Sequence, residues 1–233
     1  MSRVLVLAGG SPHAHDFAAC GAALASIAAE LQHEVRVVDN PDEAAALLGA
    51  EGGDAFDALV VDGLWWRMSG DSYDQWRAEF GYSPSTATRD ALSTFVADGG
   101  GMLAVHTTPI CFDDWPEWGD VVGGAWQWGV SSHPPVGQVT AHIVGIHPVV
   151  EGLPPQLTLL DEVYGDMAVR DGVQVLAVAK RHDDDAEQPV VWTHSYGNGR
   201  VVFDGFGHDV GSLTQPHHAQ LLAQAITWVV ATS

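Results

Sequence analysis

Histidines recur at the ends of predicted strands and in turns, where a side chain is free to do chemistry. His106 closes the apolar run of DGGGMLAVHTT (98–108), His15 follows the glycines of RVLVLAGG, and His133 and His208 stand in SSHPP and GFGHD. An imidazole titrates near neutral pH and its nitrogens bind metals, so these positions suit acid/base catalysis or metal ligation. By residue type alone a structural, hydrogen-bonded role is favoured for His106, and its place at a strand tip makes a functional role equally well supported.

The other histidines give weaker signals. His147 in GIHPVV and His194 in WTHSY occupy similar turn or strand-end settings, whereas His142 lies inside a predicted strand and His217 and His218 lie near a helix start. The last three are more typical of structural or exposed side chains. No pair has the tight spacing of a motif such as HExxH, so spacing alone does not establish a metal site.

Acidic and phenolic groups are concentrated in the stretch LLDEVYGD (159–166). If this stretch is extended, alternation places Glu162 and Tyr164 on one face and Asp161 on the other. One face would then serve a site while the other anchors the loop. A polar strand edge without a catalytic role is an equally good interpretation.

Tryptophan is abundant, with nine residues in 233, and many of them follow predicted strands or lie in loops. Such rings stack on the C–H faces of sugars, although packing of long loops is their commoner use. The candidates for substrate binding are Trp65, Trp66, Trp126 and Trp128.

The elements that would position these groups alternate between strand and helix patterns in the first half of the chain. The short apolar runs in RVLVLAGG, HEVRVVDN, FDALVVDGLWW and GMLAVHTT are separated by segments with helical spacing, HDFAACGAALASIAAEL, PDEAAALLGA and STATRDALSTFVADGG. This pattern predicts a mainly parallel sheet with helices on both faces. The ends of the first, third and fourth of these strands would bring His13, His15, Trp65, Trp66 and His106 to one crevice.

The pattern of the second half differs and predicts long loops and antiparallel additions to the sheet. The segments VTAHIVG, LTLLDEVYG and VQVLAVAKR are strand-like, PVVWTHSY and RVVFDGFGH flank a YGNGR turn, and TQPHHAQLLAQAITWVV is a closing amphipathic helix. DDDAE (183–187) is predicted to be a solvated loop. With no repeat or linker, we expect a single domain over 1–233.

Composition excludes several classes of partner. Nine Lys and Arg against 30 Asp and Glu give a formal charge of −21, which disfavours nucleic acid, acidic substrates and anionic membrane surfaces but not a neutral sugar. Two cysteines without a CxxC pair suggest neither a disulfide framework nor a cysteine zinc site. The N-terminal MSRVLVLAGG has no signal pattern or long apolar span, so we expect a cytoplasmic protein.

Taken in order along the chain, several motifs resemble the ThuA-like family, named for trehalose utilisation. They are GGGMLAVHTT, VVGGAWQWGVSSHP, GIHPVVEGLP, LLDEVYGD, PVVWTHSYGNGRVVFDGFGH and the final AITWVV. The resemblance implies an α/β fold that is flavodoxin-like and similar to class I glutamine amidotransferases. In those enzymes a cysteine nucleophile occupies the strand-to-helix elbow, whereas this sequence places His106 there, with Cys111 five residues on. Glutamine hydrolysis is therefore not expected.

The resemblance also implies a role in carbohydrate catabolism, beside a sugar dehydrogenase, with a small sugar such as a 3-keto disaccharide as substrate. Motif position points to a set of site residues, which for a keto-sugar enzyme we divide into a catalytic group and candidate ligands of a divalent metal such as zinc, or oxyanion partners, and no nucleotide cofactor is expected. The catalytic candidates are His106, Asp161, Glu162 and Tyr164, with Glu162 as base and His106 in proton transfer, and the metal candidates are His15, His133 and His208.

Two classes of function remain open at this point. The first is an enzyme, a hydrolase, lyase or isomerase that uses His/Glu acid-base chemistry on a keto-sugar or glycoside, with or without metal. The second is a non-catalytic sugar-binding or sensing protein. The segment 67–85, which departs from some members of the family, would form a lid or a pocket wall, and a homo-oligomer is possible.

Overall fold

A twisted sheet forms the centre of the molecule. The structure, a computed structural model, describes residues 1–13, 15–49, 55–182 and 185–231. Within these ranges nine strands form the main sheet in the order β2-β1-β3-β4-β11-β10-β9-β6-β7, and two short strands, β5 and β8, pair separately. The strands are β1 (Arg3–Gly10), β2 (Glu34–Val38), β3 (Ala58–Leu64), β4 (Gly101–Val105), β5 (Gly124–Ala125), β6 (Gly137–Ile143), β7 (Gln156–Asp161), β8 (Ala168–Val169), β9 (Gln174–Ala179), β10 (Gln188–Tyr196) and β11 (Gly199–Asp204).

The sheet has a parallel half and an antiparallel half, as the sequence predicts. β2, β1, β3, β4 and β11 run parallel to one another. β10, β9, β6 and β7 continue the sheet with antiparallel pairings. The C-terminal hairpin thus joins the two halves, because β11 pairs with β4 on one side and with β10 on the other.

Helices cover both faces of the sheet. They are α1 (Phe17–Glu30), α2 (Pro41–Leu48), α3 (Asp74–Phe80), α4 (Thr86–Ala97), α5 (Trp118–Val122), α6 (Val210–Leu213) and α7 (Pro216–Val230). Residues of α1 and α7 pack on one face and residues of α2, α4 and α5 on the other. Strands β3 and β4 are buried along their whole length, which explains their nearly continuous apolar sequences.

Helix starts are set by local capping. Asp16 accepts a hydrogen bond from the backbone N–H of Ala19 and begins α1, and Asn40 with Pro41 begins α2 in the same manner. These caps turn the chain sharply after β1 and β2. The carboxyl ends of the parallel strands therefore stay open at one edge of the sheet.

That edge contains the reversal of strand order. The chain passes from β1 to β2 on one side and then crosses to β3 on the other, so a crevice forms between the ends of β1 and β3. Ligands bind at such crevices in open α/β sheets.

Some boundaries differ from the sequence prediction. The strand expected through LTLLDEVYG ends at Asp161, because the chain turns there toward the crevice and Glu162 leaves the ladder. Ala50, the last residue of the predicted helix PDEAAALLGA, lies outside the described residues, as do Asp183 and Asp184 of the predicted DDDAE loop. Among the described helices, none combines the length and the apolar character needed to span a lipid bilayer.

Candidate active site

A cavity of about 290 Å³ occupies the crevice at the strand ends. Its lining comes from the segments after β1, β3, β4, β7 and β11, and from the 126–133 loop. The residues are Ser11, His13, His15, Leu64, Trp66, Tyr73, Trp76, Thr107, Ile110, Trp126, Trp128, His133, Glu162, Tyr164 and His208. The topology thus brings together most of the residues that the sequence singles out, although they span nearly 200 positions.

His106 lies directly beneath this cavity, at the tip of β4, fully buried. Its backbone adopts the left-handed conformation, with φ of 47°, which a histidine rarely takes and which costs about 1–3 kcal/mol. The Nδ1–H donates to the Gly205 carbonyl at 3.0 Å, so Nε2 carries the lone pair and accepts from the Tyr164 hydroxyl at 3.1 Å. Burial lowers the pKa of His106, which keeps the ring neutral.

His15 and His208 complete a cluster of three imidazoles with His106. Ring centroids lie 4.5 Å apart for His15 and His208 and 5.0 Å apart for His15 and His106, with steeply inclined planes. His15 donates its Nδ1–H to the His208 carbonyl at 3.2 Å, leaving Nε2 unprotonated. Burial, together with the nearby His106, lowers the pKa of His15 to about 4.

Glu162 stands against this cluster and is almost fully buried. One oxygen lies 3.2 Å from His133 Nδ1, and the other lies 3.6 Å from both His106 Nε2 and His208 Nδ1. Burial alone would raise the pKa of Glu162, but hydrogen bonding to His133 and the proximity of His208 hold it well below its usual value. The same carboxylate raises the pKa of His133 and of His208.

Asp161 faces away from the cavity, as the alternation of the sequence suggests. Its carboxylate accepts hydrogen bonds from the backbone N–H of Glu162 at 2.7 Å and of Gly207 at 2.8 Å, and from the Ser212 hydroxyl. It is fully buried and does not line the pocket. The structure therefore places Asp161 behind the cavity, away from the pocket surface at which the sequence suggested a catalytic contact.

The metal candidates are also rearranged. Ligand atoms of His15, His106 and His208 all lie within 4.8 Å of one another. His133, which the sequence grouped with the ligands, instead pairs with Glu162 at the pocket rim, where its side chain is 39% exposed. His106 takes its place in the cluster because β4 and β11 are adjacent and parallel, which sequence spacing does not reveal.

The residues of this cluster have the donor set of a divalent metal site. Two of the rings are neutral with an Nε2 lone pair, and Nδ1 of His208 is buried with no hydrogen-bond partner among the described residues. Imidazoles with one carboxylate are typical ligands of catalytic zinc, and each neutral ring is oriented through a backbone carbonyl, as metal-binding histidines usually are. The residues present fit such a cation.

Three of the four candidate tryptophans line the cavity. Trp66, Trp126 and Trp128 do so, and Trp128 is 51% exposed at the rim. Trp65 instead packs in the core beside Phe112 and lines a separate cavity of about 650 Å³ on the other side of the loop after β1. Neighbouring tryptophans after an extended strand point to opposite faces, so only one of the pair reaches the site.

The segment 67–85, for which the sequence suggests a lid or a pocket wall, contributes residues to the cavity wall. Tyr73 and Trp76 line the cavity, and His13 stacks on Trp76 with ring centroids 4.2 Å apart. Arg77 holds this segment by donating to the carbonyls of Met68 and Gly70. The sequence offered Arg67, Arg77 and Trp76 for this role, and of these three Trp76 lines the cavity.

Cys111 has no place in the cavity. Its thiol is buried and donates to the Gly63 carbonyl at 2.9 Å, and burial raises its pKa to about 12. A thiol in this state is a poor nucleophile. His194, which the sequence also raised, donates to the Val121 carbonyl and lies outside the pocket lining.

Comparison with known proteins identifies the family of this chain. The family model ThuA, described as trehalose utilisation, matches residues 3–229. The chain belongs to the ThuA family. A search of curated proteins found no match.

Solved structures show the same fold in ThuA-like and other proteins. A ThuA-like protein from Parabacteroides merdae has a TM-score of 0.77 at 20% identity, with 99% of this chain and 90% of that chain covered. A second ThuA-like protein, from Bacteroides uniformis, has a TM-score of 0.71 at 17% identity, covering 97% and 90%. A β-galactosidase from Rahnella sp. R3 has a TM-score of 0.64 at 14% identity, covering 99% of this chain but 32% of that chain. These likenesses establish the fold of this ThuA member.

Proposed function

We propose that this ThuA-family protein is a carbohydrate-catabolism enzyme that acts on a keto-sugar or glycoside, such as a 3-keto disaccharide. The observation that carries the proposal is the convergence of three imidazoles and Glu162 beneath an aromatic-walled pocket at the strand-order reversal. The description of the family as trehalose utilisation supports a sugar as the substrate class. A sugar dehydrogenase is the class of enzyme that would supply the ketone.

In this proposal His15, His106, His208 and Glu162 hold a divalent metal such as zinc. When bound, the cation supplies polarisation of the ketone oxygen and stabilises negative charge that develops on it. Metal ligation would occupy Nε2 of His106, and Tyr164 would then have its hydroxyl available for a sugar oxygen. Trp66, Trp126 and Trp128 would stack against the sugar ring.

Proton transfer is assigned to His133. Its Nδ1–H is shared between the Pro134 carbonyl at 3.1 Å and the Glu162 carboxylate at 3.2 Å, so in the neutral ring Nε2 carries the lone pair, as in carboxylate-oriented catalytic histidines. It is partly exposed at the pocket rim, whereas Glu162 and His106 are buried and enclosed by other groups. This refines the sequence hypothesis, in which Glu162 and His106 moved the proton.

The reaction that suits this arrangement is an elimination next to the ketone. His133 takes the proton from the carbon beside the carbonyl, the C–H electron pair forms a C=C bond, and the C–O bond on the next carbon breaks with its electron pair. The proton then passes from His133 to the departing oxygen. Charge balances, and no oxidant or reductant is consumed.

The test compares a 3-keto disaccharide with its unoxidised parent, using purified protein whose metal content is measured. We expect turnover of the keto-sugar alone, followed by chromatography of the released sugar. His133→Gln should lower kcat by about 10²–10⁴-fold while metal content is retained. His182→Gln, an exposed histidine outside the site, is the control and should behave as wild type. Full activity in His133→Gln would contradict the assignment.

A non-catalytic sugar-binding protein is the second candidate, favoured by the aromatic share of the pocket lining. Titration calorimetry separates the two. Tight binding of the unoxidised sugar, with no turnover of the keto-sugar and no bound metal, would support binding and overturn the enzymatic proposal.

A further inference from the structure

A second group of polar side chains lies below the candidate site and is sealed from solvent. Asp161, Asp204 and His218 are 0% exposed and Ser212 is 2% exposed. None of these four lines the pocket. Their hydrogen bonds nevertheless lead to the segments that carry the site.

His218 is the centre of this group. Its Nε2 lies 2.8 Å from the Asp204 carboxylate and its Nδ1 lies 2.8 Å from the Ser212 carbonyl. The Ser212 carbonyl and an ionised Asp204 carboxylate can only accept, so both ring nitrogens donate to them and the ring is an imidazolium. The pair with Asp204 is therefore a buried ion pair with both partners hydrogen-bonded.

Asp204 and Asp161 connect this pair to the site along two routes. Asp204 also accepts from the Phe206 N–H at 3.1 Å, which shapes the turn whose Gly205 carbonyl orients His106. Asp161 accepts from Ser212, from the Gly207 N–H next to His208, and from the N–H of Glu162. Gly207 adopts a φ of +112°, a conformation that a side chain would strain.

The segment 204–208 is thus fixed by hydrogen bonds to the buried group on one side, and on its other side it contacts the three clustered imidazoles. Its Gly205 carbonyl accepts from His106, its His208 carbonyl accepts from His15, and it contributes the His208 ring itself. We propose that the Ser212–Asp161 and His218–Asp204 contacts form a frame that sets the positions of Glu162, His208 and, through them, His15 and His106. Ser212 and His218 are then positioning residues for the proposed site.

A Ser–His–Asp nucleophile is not what this group provides. Ser212 lies 3.2 Å from His218 Nδ1, but it donates to Asp161 while His218 Nδ1 donates to a carbonyl. No acceptor on His218 is left to take the serine proton. The burial of Ser212 also keeps any substrate away from its hydroxyl.

Ser212→Ala tests the frame with the smallest possible change, the loss of one oxygen. Thr214→Ala is the matched control, since its exposed hydroxyl bonds only to the local Val210 carbonyl. The first measurement is Co²⁺ affinity of the intact protein by visible absorption. We expect Ser212→Ala to bind Co²⁺ about 10–100-fold more weakly, and Thr214→Ala to match wild type.

The second measurement is the ¹⁵N spectrum of the histidine rings in metal-free protein. Wild type should show His15 and His106 as fixed Nδ1–H tautomers, whereas Ser212→Ala should show averaged tautomers for His15, whose acceptor is the His208 carbonyl. A purely structural role would lower the melting temperature and leave the spectra and the Co²⁺ affinity unchanged, which would overturn the proposal.

The inference rests on the proposed function only where it invokes metal. If wild type binds no Co²⁺, the metal part of that function is wrong, while the ring spectra still decide whether Ser212 positions His15. His218→Gln, measured in the same two ways, tests the frame at the His218–Asp204 contact. Wild-type ring spectra in both variants would reject the frame.

Discussion

Carboxylates meet histidines in two regions of this protein, with opposite results. At His218 and Asp204 the pair is fully buried, the ring donates from both nitrogens, and the contact is 2.8 Å. At Glu162, imidazoles approach from several sides at 3.2–3.6 Å, Nδ1 of His208 has no hydrogen-bond partner, and the group faces a cavity. In the first arrangement both ring nitrogens of His218 have hydrogen-bond partners, and the pair fixes the backbone around it. In the second, imidazole lone pairs remain for a ligand.

We expect the buried His218–Asp204 pair to contribute strongly to stability. His218→Ala should lower the free energy of unfolding by about 3–5 kcal/mol, because Asp204 is left buried without a counter-charge. Urea unfolding of the variant against wild type measures this change. A loss below about 1 kcal/mol would show that the pair is not structurally important.

Substitution of a site histidine should instead affect metal affinity more than stability. His106→Ala should weaken Zn²⁺ binding by more than about 100-fold, since even residues behind metal ligands change affinity by about 10–100-fold. Alanine keeps a Cβ, so the left-handed φ stays strained and the variant reports on loss of the imidazole, not on relief of the backbone. Competition with a chelator gives the affinity, and His182→Ala serves as control. An unchanged affinity would remove His106 from the ligand set.

The His218–Asp204 pair should also make the free energy of unfolding depend on pH. Burial acts to lower the pKa of His218, but the Asp204 carboxylate outweighs it and raises that pKa above the ordinary value. Its contribution to stability is therefore complete below about pH 6.5 and is lost as the pH rises through the folded-state pKa. The stability difference between wild type and His218→Gln should shrink over that range, by at most about 1.4 kcal/mol per pH unit. A difference that grows with pH would contradict the imidazolium.

The smallest expected effect concerns the rim. Trp128→Ala should raise KM or the sugar dissociation constant by about 2–10-fold through loss of stacking, with little change in kcat or stability. Val130→Ala, an exposed residue in the same loop, is the matched control. Equal affinities for both variants would take Trp128 out of the binding surface.

Much of the fold could be predicted from local pattern. Apolar runs ended by glycine, capped helix starts and the alternation of strand and helix predict the parallel half, and the hairpin of β10 and β11 follows from the YGNGR turn. Alternation also separates Glu162 from Asp161 correctly. Trp65 shows the limit, because one residue of register decides which of two adjacent tryptophans faces the cavity.

The sequence by itself determined which chemical groups are available and that several stand at strand ends. Tertiary structure alone decided how they are grouped. The parallel pairing of β4 with β11 places the Gly205 carbonyl against His106, 99 residues away, and so selects the tautomer whose Nε2 lone pair faces the Tyr164 hydroxyl. In the proposed function, His133 and His106 exchange their predicted roles for the same reason. Hydrogen-bond partners from distant strands determine which nitrogen of each imidazole is available, and sequence spacing does not contain that information.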